Sequence, residues 1–378
     1  MPDKLKDFFG QPVVRQIAQQ IAAVHPAFAV EAFVADSLDG LEALELTERG
    51  RHISEALARQ LPDPYEAAVD VLVASLGPVL EQTEGNGMEP FLYLPHIFFV
   101  ASRGLDHFEP SMRAQYEITQ RFSAEYSIRL FIDRYPDATY KRLMTWARDP
   151  SVHVRRLVSE GTRPRLPWAP RLRVYQADPM PVVQLLELLK DDPELYVRRS
   201  VANNLNDIGK DHPALLVEIC RRWWSDATPD RRWLIRHALR SLVKAGHPDA
   251  LALLGFKGGA KVAVEAVQLA ETQVPIGGAL LFACDLVSTG EVAQDLLVDY
   301  RVHFVKASGG TTPKVFKLRA VALEPGERVR LGGRVSFADM TTRRHYLGRH
   351  AIDLLVNGSV LPVAEFDVVA RRLATSAL

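Results

Sequence analysis

Apolar residues recur at intervals of three and four along the first two-thirds of the chain, as in Val14, Ile17, Ile21 and Val24, or Val69, Leu72, Val73 and Leu76. That spacing keeps one face of a 3.6-residue helix apolar and predicts a succession of amphipathic helices up to residue 256. Pro62, Pro64, Pro78, Pro90, Pro95, Pro110 and Pro136 fall between the periodic runs, where a missing N–H does least harm. After Lys257-Gly258-Gly259 the pattern changes. Seven β-branched runs of strand length, at 262–270, 278–287, 296–307, 314–323, 328–339, 350–358 and 363–372, are split by Gly-Gly, Pro-Gly and Asn-Gly turns. They predict an antiparallel β-sandwich. The chain thus reads as multidomain α plus β, with a helical domain over 1–257 and a sandwich over 258–378.

The helical part contains a repeat. Asp149-Pro150 leads into Val152-His153-Val154-Arg155-Arg156-Leu157-Val158, and Asp192-Pro193, 43 residues on, leads into Tyr196-Val197-Arg198-Arg199-Ser200-Val201-Ala202. A third arginine-bearing helix, Trp233 to Arg240, follows about 40 residues later. Two helices in each unit of this length are the mark of HEAT-like repeats, an α-α superhelix in which each unit buries its apolar face against its neighbours. Asp-Pro suits the start of such a unit, with Asp capping the helix N-terminus and Pro in its first turn.

Charge changes the picture. The 46 Lys+Arg balance 46 Asp+Glu, and a net charge of +0 taken alone argues against a polyanionic partner. Residues 1–148, however, carry 14 basic against 21 acidic residues, 149–258 carry 18 against 13, and 259–378 carry 14 against 12. The basic surplus lies in the repeats. Arg155, Arg156, Arg198, Arg199, Arg236 and Arg240 fall at equivalent points of successive units, and stacking would align them as a phosphate-binding stripe on the concave face. Pairing with Asp149, Asp192 or Glu194 is the alternative for each. All five tryptophans, Trp146, Trp168, Trp223, Trp224 and Trp233, lie in the same repeats. Tryptophan in a solenoid is ordinarily core, but Trp168 sits among Pro164, Pro167 and Pro170, which forbid a regular helix and impose a shaped loop. In the sandwich, basic turns with Lys306, Lys314 and Lys317, and with Arg343-Arg344-His345, could reach a phosphate backbone or be merely solvated.

Three acids stand among the basic helices without a capping role: Glu125, Glu160 and Asp207. A carboxylate in a cationic groove opposes the binding of nucleic acid, so its presence there points to chemistry. The alternatives are pairing of Glu125 with Arg121 or Arg129 at i±4, and repeat-terminal salt bridges for Glu160 and Asp207. Other classes recede. Hydrophobic and charged fractions of 47% and 24% exclude disorder and collagen. Cys220 and Cys284 are too few for a disulfide framework and point to a reducing cytoplasm. The first twenty residues lack the apolar core of a signal peptide, and no apolar run reaches the 18 residues of a membrane span. There is no phosphate-binding or dinucleotide-binding glycine fingerprint, HExxH or GxSxG. The eleven histidines show no metal-ligand spacing; His153 and His237 lie on arginine-bearing helices, where each could touch phosphate but is more readily a satisfied helix histidine.

The strings Phe122-Ser123-Ala124-Glu125-Tyr126-Ser127-Ile128-Arg129, Ser159-Glu160-Gly161-Thr162-Arg163-Pro164-Arg165-Leu166-Pro167-Trp168 and Ser200-Val201-Ala202-Asn203-Asn204-Leu205-Asn206-Asp207 together resemble the AlkC family of alkylpurine DNA glycosylases. That family is related to AlkD among the HEAT-like-repeat glycosylases. The resemblance spans essentially the whole chain, because one AlkC subgroup carries an immunoglobulin-like domain after its repeats. It implies base excision repair: hydrolysis of the N-glycosidic bond of cationic lesions such as 3-methyladenine and 3-methylcytosine in double-stranded DNA. It implies no metal and no organic cofactor, and a monomeric enzyme is expected. By motif position it implies that Glu125, Glu160, Trp168 and Asp207 line the active site, with Arg156 among the DNA contacts. It also implies a lesion that stays in the duplex, unlike the usual extraction of a target base. The residue types suit the chemistry. A cationic base is already a good leaving group, so what remains is stabilising positive charge on the deoxyribose and placing a water, and a carboxylate can do both. The Trp168 ring against the sugar or base would add ~0.5–2 kcal/mol. A non-catalytic HEAT-like scaffold that binds DNA or protein is the competing expectation, since the fold alone permits it.

Overall fold

The computed structural model describes residues 5–339 and 344–370. The chain packs as two compact units, Met1–His212 with Trp223–Ala238, and Pro213–Arg222 with Leu239–Leu378. Helix gives way to strand between Pro248–Leu253 and Val262–Leu269, on either side of Lys257-Gly258-Gly259. Packing nevertheless groups the last helices with the strands. Gly246 and Gly358, both in the left-handed region, meet so closely that a Cβ on Gly358 would lie 2.9 Å from the Gly246 Cα. Asn357 adds hydrogen bonds to the carbonyl oxygens of Lys257 (2.8 Å) and Asp295 (3.0 Å).

Among the described residues sixteen α-helices precede the strands, and those of the first unit stack as an α-α superhelix. Within it Val152–Gly161 packs on Met180–Leu189 and Leu195–Asp211, and Leu195–Asp211 packs on Pro229–Ala238. The periodic residues form these contacts: Val154, Leu157, Val158, Val197, Val201, Leu205, Leu234 and Ile235 are all fully buried. Each such side chain contributes about 1.5–3 kcal/mol. Among the described residues no helix is long and apolar enough to cross a membrane.

The Asp-Pro starts differ from the expected helix caps. Asp149 accepts the N–H of Ser151 (2.8 Å) and Asp192 that of Glu194 (3.0 Å), which makes an Asx turn ahead of each helix, with Pro inside the turn. The turn leaves its carbonyls pointing outward, and the arginine six residues after each Asp collects them. Arg155 Nη1 donates to the carbonyl oxygens of Asp149 and Pro150 (both 2.9 Å), and Arg198 Nη1 to those of Asp192 and Pro193 (both 2.7 Å). Each arginine then reaches the acid of the next unit, Arg155 to Asp192 (2.6 Å) and Arg198 to Asp230 (3.1 Å).

The strands are β1 (Val262–Leu269), β2 (Gln273–Pro275), β3 (Ala279–Ser288), β4 (Gln294–Val305), β5 (Thr311–Leu323), β6 (Arg328–Ser336), β7 (Gly348–Val356) and β8 (Ser359–Val369). They form two sheets, ordered β1-β3-β6 and β2-β8-β7-β4-β5. Alternate residues, among them Leu280, Phe282 and Leu286 of β3 and Val298, Tyr300 and Val302 of β4, fill one core between them. The seven predicted runs reappear as strands. The eighth, β2, pairs parallel to β8 and departs from an all-antiparallel sandwich; its three residues are held by the fully buried Val274.

One buried group ties this fold to pH. His96, on the helix Leu94–Arg103, is 1% exposed and its Nδ1 has no hydrogen-bond partner. Burial pushes its pKa from 6.5 down to about 4. The fold therefore keeps His96 neutral where the unfolded chain binds a proton. Its contribution to stability is complete above pH 6.5 and is lost as pH falls toward 4. The expected slope is about 1.4 kcal/mol per pH unit in that window. Denaturant unfolding measured across it should give a shallower acid-side loss for His96→Phe than for the parent chain.

Candidate active site

The fold brings the three carboxylates into one network. Glu125 lies in the turn before the helix Ile128–Arg134, Glu160 in the last turn of Val152–Gly161, and Asp207 on Leu195–Asp211. Arg156 Nη1 donates to Glu125 Oε2 (2.6 Å) and to Ser123 Oγ (3.0 Å), and its Nη2 lies 3.5 Å from Glu160 Oε1. Arg163 continues the series, with Nη1 donating to Glu160 Oε1 (2.6 Å) and Nε to Asp207 Oδ2 (2.9 Å). Lys210 Nζ closes it on Asp207 Oδ1 (2.8 Å), and Ser200 Oγ donates to Glu160 Oε2 (2.6 Å). The result is an alternating ladder: Glu125, Arg156, Glu160, Arg163, Asp207, Lys210.

Burial and charge oppose each other in this ladder. Burial alone would raise the Glu160 pKa, but Arg156 and Arg163 outweigh it and hold the carboxyl below the usual range. Burial alone would lower Arg156, and Glu125 and Glu160 together reverse it. Arg163 is raised in the same way by Glu160 and Asp207. The Arg156 guanidinium also stands 5.3 Å from the centre of the Tyr196 ring. Burial, with Glu125 beside it, pushes the Tyr126 hydroxyl up to about 12.

The three carboxylates are not equivalent. Their side chains are 15% (Glu125), 8% (Glu160) and 2% (Asp207) exposed. Both oxygens of Glu160 and of Asp207 accept hydrogen bonds, whereas only Oε2 of Glu125 does so among the described residues. Neither arginine at i±4 pairs with Glu125. Arg121 binds Glu117 (2.9 Å) and the Gly77 carbonyl (2.6 Å), and Arg129 binds only backbone carbonyls.

Trp168 lies in the irregular segment between Gly161 and Arg173, five residues beyond Arg163. It is 68% exposed and has φ 63°, a left-handed conformation that a non-glycine residue holds only when its surroundings impose it. Trp146 and Trp223 are core, and Trp233, partly exposed, stacks on His237 at 5.2 Å.

The six arginines expected to form one stripe meet different partners. Arg155 and Arg198 are struts between repeats, engaged by carbonyls and carboxylates. Arg156 belongs to the ladder. Arg199, on the exposed side of its helix, meets Glu84 at 2.6 Å, and Arg236 is exposed with its guanidinium 5.7 Å from the Trp224 ring. Arg240 begins a separate helix, Arg240–Lys244, in the second unit. His153 is bound through Nε2 to the Leu80 carbonyl (3.0 Å), with its pKa lowered by burial, and His237 meets Asn203 (3.2 Å). In the sandwich, Lys306 and Lys314 line one hollow together with Arg344 and His345; Lys317 lies apart from it, and Arg343 is outside the described residues.

Sequence reasoning missed Arg163, Lys210, Ser123 and Ser200, and placed Arg129 only as a partner for Glu125. Arg163 had one visible signal, its place three residues after Glu160 at a helix end.

A family model described as "Uncharacterised protein YhaZ, C-terminal Ig-like domain" matches residues 263–370. The protein YhaZ of Bacillus subtilis (strain 168), itself described as uncharacterized, is 33% identical over 365 residues, which cover 96% of this chain and 99% of that protein. The solved structure of Pseudomonas fluorescens alkylpurine DNA glycosylase AlkC, bound to DNA containing an abasic site analog, matches with a TM-score of 0.90 at 38% identity. That match covers 97% of this chain and 100% of that one.

The ladder's own energetics are open to test. Removing a buried partner strands its ions, so Arg163→Met should cost about 3–5 kcal/mol. Arg199→Ala breaks an exposed pair and should change stability by no more than about 1 kcal/mol. Urea unfolding of the two variants checks the contrast.

Proposed function

Because the chain belongs to the AlkC family of alkylpurine DNA glycosylases, in the subgroup with a C-terminal immunoglobulin-like domain, we propose that it hydrolyses the N-glycosidic bond of cationic alkylated bases, such as 3-methyladenine and 3-methylcytosine, in duplex DNA. The observation that carries this reading is the Glu125 carboxylate: one oxygen fixed by Ser123 and Arg156, the other unengaged, on the most exposed acid of the ladder.

In the reaction the bond between C1′ and the base nitrogen breaks, and its electron pair leaves with the base, neutralising the cationic ring. The deoxyribose becomes oxocarbenium-like. Glu125 stabilises that positive charge and orients a water through its unengaged Oε1. The water oxygen bonds to C1′, and its proton passes to the carboxylate and then to solvent. Glu160 and Asp207, with both oxygens engaged, hold Arg156 and Arg163 so that Glu125 keeps one position. Trp168 presents its face to the sugar or the cationic base. Arg236, which is exposed, and the half-buried Arg199, on release from Glu84, meet phosphates, and the sandwich hollow with Lys306, Lys314 and Arg344 adds an auxiliary backbone contact.

Methylated duplex DNA incubated with excess protein, followed by chromatography of the free bases, tests this. Release of 3-methyladenine is expected, falling about 100-fold or more in Glu125→Gln under single-turnover conditions. DNA binding without release at any protein concentration would sink the enzyme reading and leave the scaffold. An unchanged rate in Glu125→Gln would displace Glu125 from its role.

A further inference from the structure

Residues 162–172 form an irregular segment with a shortage of its own donors. Pro164, Pro167 and Pro170 have no N–H, yet every residue in it has a carbonyl that needs a partner or water. The backbone hydrogen bonds closing the segment on itself are Leu172 N–H to the Pro164 carbonyl (3.2 Å) and Ala169 N–H to the Leu166 carbonyl (3.4 Å). The missing donors come from outside. Arg129, on Ile128–Arg134 and 3% exposed, directs Nη1 to the carbonyl oxygens of Gly161 (3.1 Å) and Arg163 (2.7 Å), and Nη2 to that of Pro170. One guanidinium thus ties the two ends of the loop that bears Trp168.

Two features separate this arginine from an ordinary structural one. Arg49 is the comparison: it also gathers backbone carbonyls, of Leu44, Lys6, Phe9 and Glu42, at the far N-terminal end of the repeats. The loop held by Arg129, by contrast, supplies Arg163, which joins Glu160 to Asp207, and Trp168, held at φ 63° between the clamped ends. Arg129 also stands four residues after Glu125, so one short stretch of chain sets both the acid and the clamp. Like Arg49, it has no carboxylate hydrogen-bonded to it among the described residues; its partners are neutral carbonyls. Burial lowers its pKa to about 10, against the opposing charges of Asp133, Glu125 and Asp207. Gly161 lets the loop begin this close, since a Cβ there would lie 2.6 Å from Ile128 Cγ2.

We propose that Arg129 is a positioning residue for base excision, fixing the Trp168 loop and the Arg163 bridge relative to Glu125 by capturing the carbonyls of Gly161, Arg163 and Pro170. This rests on the glycosylase reading above. Lysine keeps the charge but not the planar fork, so it cannot span three carbonyls.

The test uses the full chain with Arg129→Lys and Arg129→Gln, both checked by thermal melting. Hydrogen exchange should accelerate at least about tenfold at the amides of 162–172 and not in the helices Leu195–Asp211 or Leu46–Gln60. Single-turnover excision should fall about 10–100-fold while affinity for abasic duplex DNA changes less than about threefold. Adding Trp168→Ala to Arg129→Lys should slow excision no further than the slower single variant. Unchanged loop exchange, multiplicative losses in the double variant, or an activity loss that merely follows the melting temperature would overturn the proposal. The exchange readout does not depend on base excision, so it separates failure of the clamp from failure of the glycosylase reading. Trp168→Ala working at the parent rate would overturn the role of Trp168, and with it the catalytic consequence of the clamp.

Discussion

A buried carboxylate needs a cation, and a buried cation needs a carboxylate; in this protein that mutual requirement links Glu125, Arg156, Glu160, Arg163, Asp207 and Lys210 into one ladder. Four pieces of chain meet on it: the turn before Ile128–Arg134, the helix Val152–Gly161, the loop that follows and the helix Leu195–Asp211. No single member can move without stranding its neighbours. The geometry of the acids is therefore set by charge as much as by apolar packing. Among the described residues, Glu125 at the end of the ladder is the ladder's acid with an unengaged oxygen.

The repeats deliver this arrangement through a division of labour between adjacent arginines. Successive residues on a helix point about 100° apart, so the two members of an Arg-Arg pair cannot share a face. Arg155 and Arg198 turn back to the carbonyls of their own Asp-Pro turn and forward to the acid of the next unit, which fixes the stacking of one repeat on another. Arg156 and Arg199 are left facing elsewhere, the first into the carboxylates and the second to the surface. Glu125, Glu160, Arg163 and Asp207 of the ladder lie within the strings that carry the AlkC resemblance.

Helices, strands and the point where one texture yields to the other were legible, since period 3.6 and period 2 follow directly from which residues are buried. Glu125, Glu160 and Asp207 stood out as acids in a basic stretch, and the structure gathers them into one network, with Glu160 and Asp207 in the salt bridges that were their alternative. What period could not reveal is direction. The identical spacing of the arginines suggested one common face, while their side chains point to different partners. Arg163 and Arg129 act through a loop with no period at all, and Asp149 and Asp192 look like helix caps but stand two residues ahead of the capping position. Strand β2 was invisible because three residues leave no alternation to read.

The central claim is that this ladder holds a carboxylate against positive charge on the sugar. Binding of two duplexes measures it directly, one with a neutral tetrahydrofuran abasic site and one with a cationic pyrrolidine in its place. The account predicts that the parent chain binds the cationic duplex at least about 100-fold more tightly, as an enzyme binds a mimic of its transition state, and that Glu125→Gln removes most of that preference. Equal affinity for the two duplexes in the parent chain would contradict it.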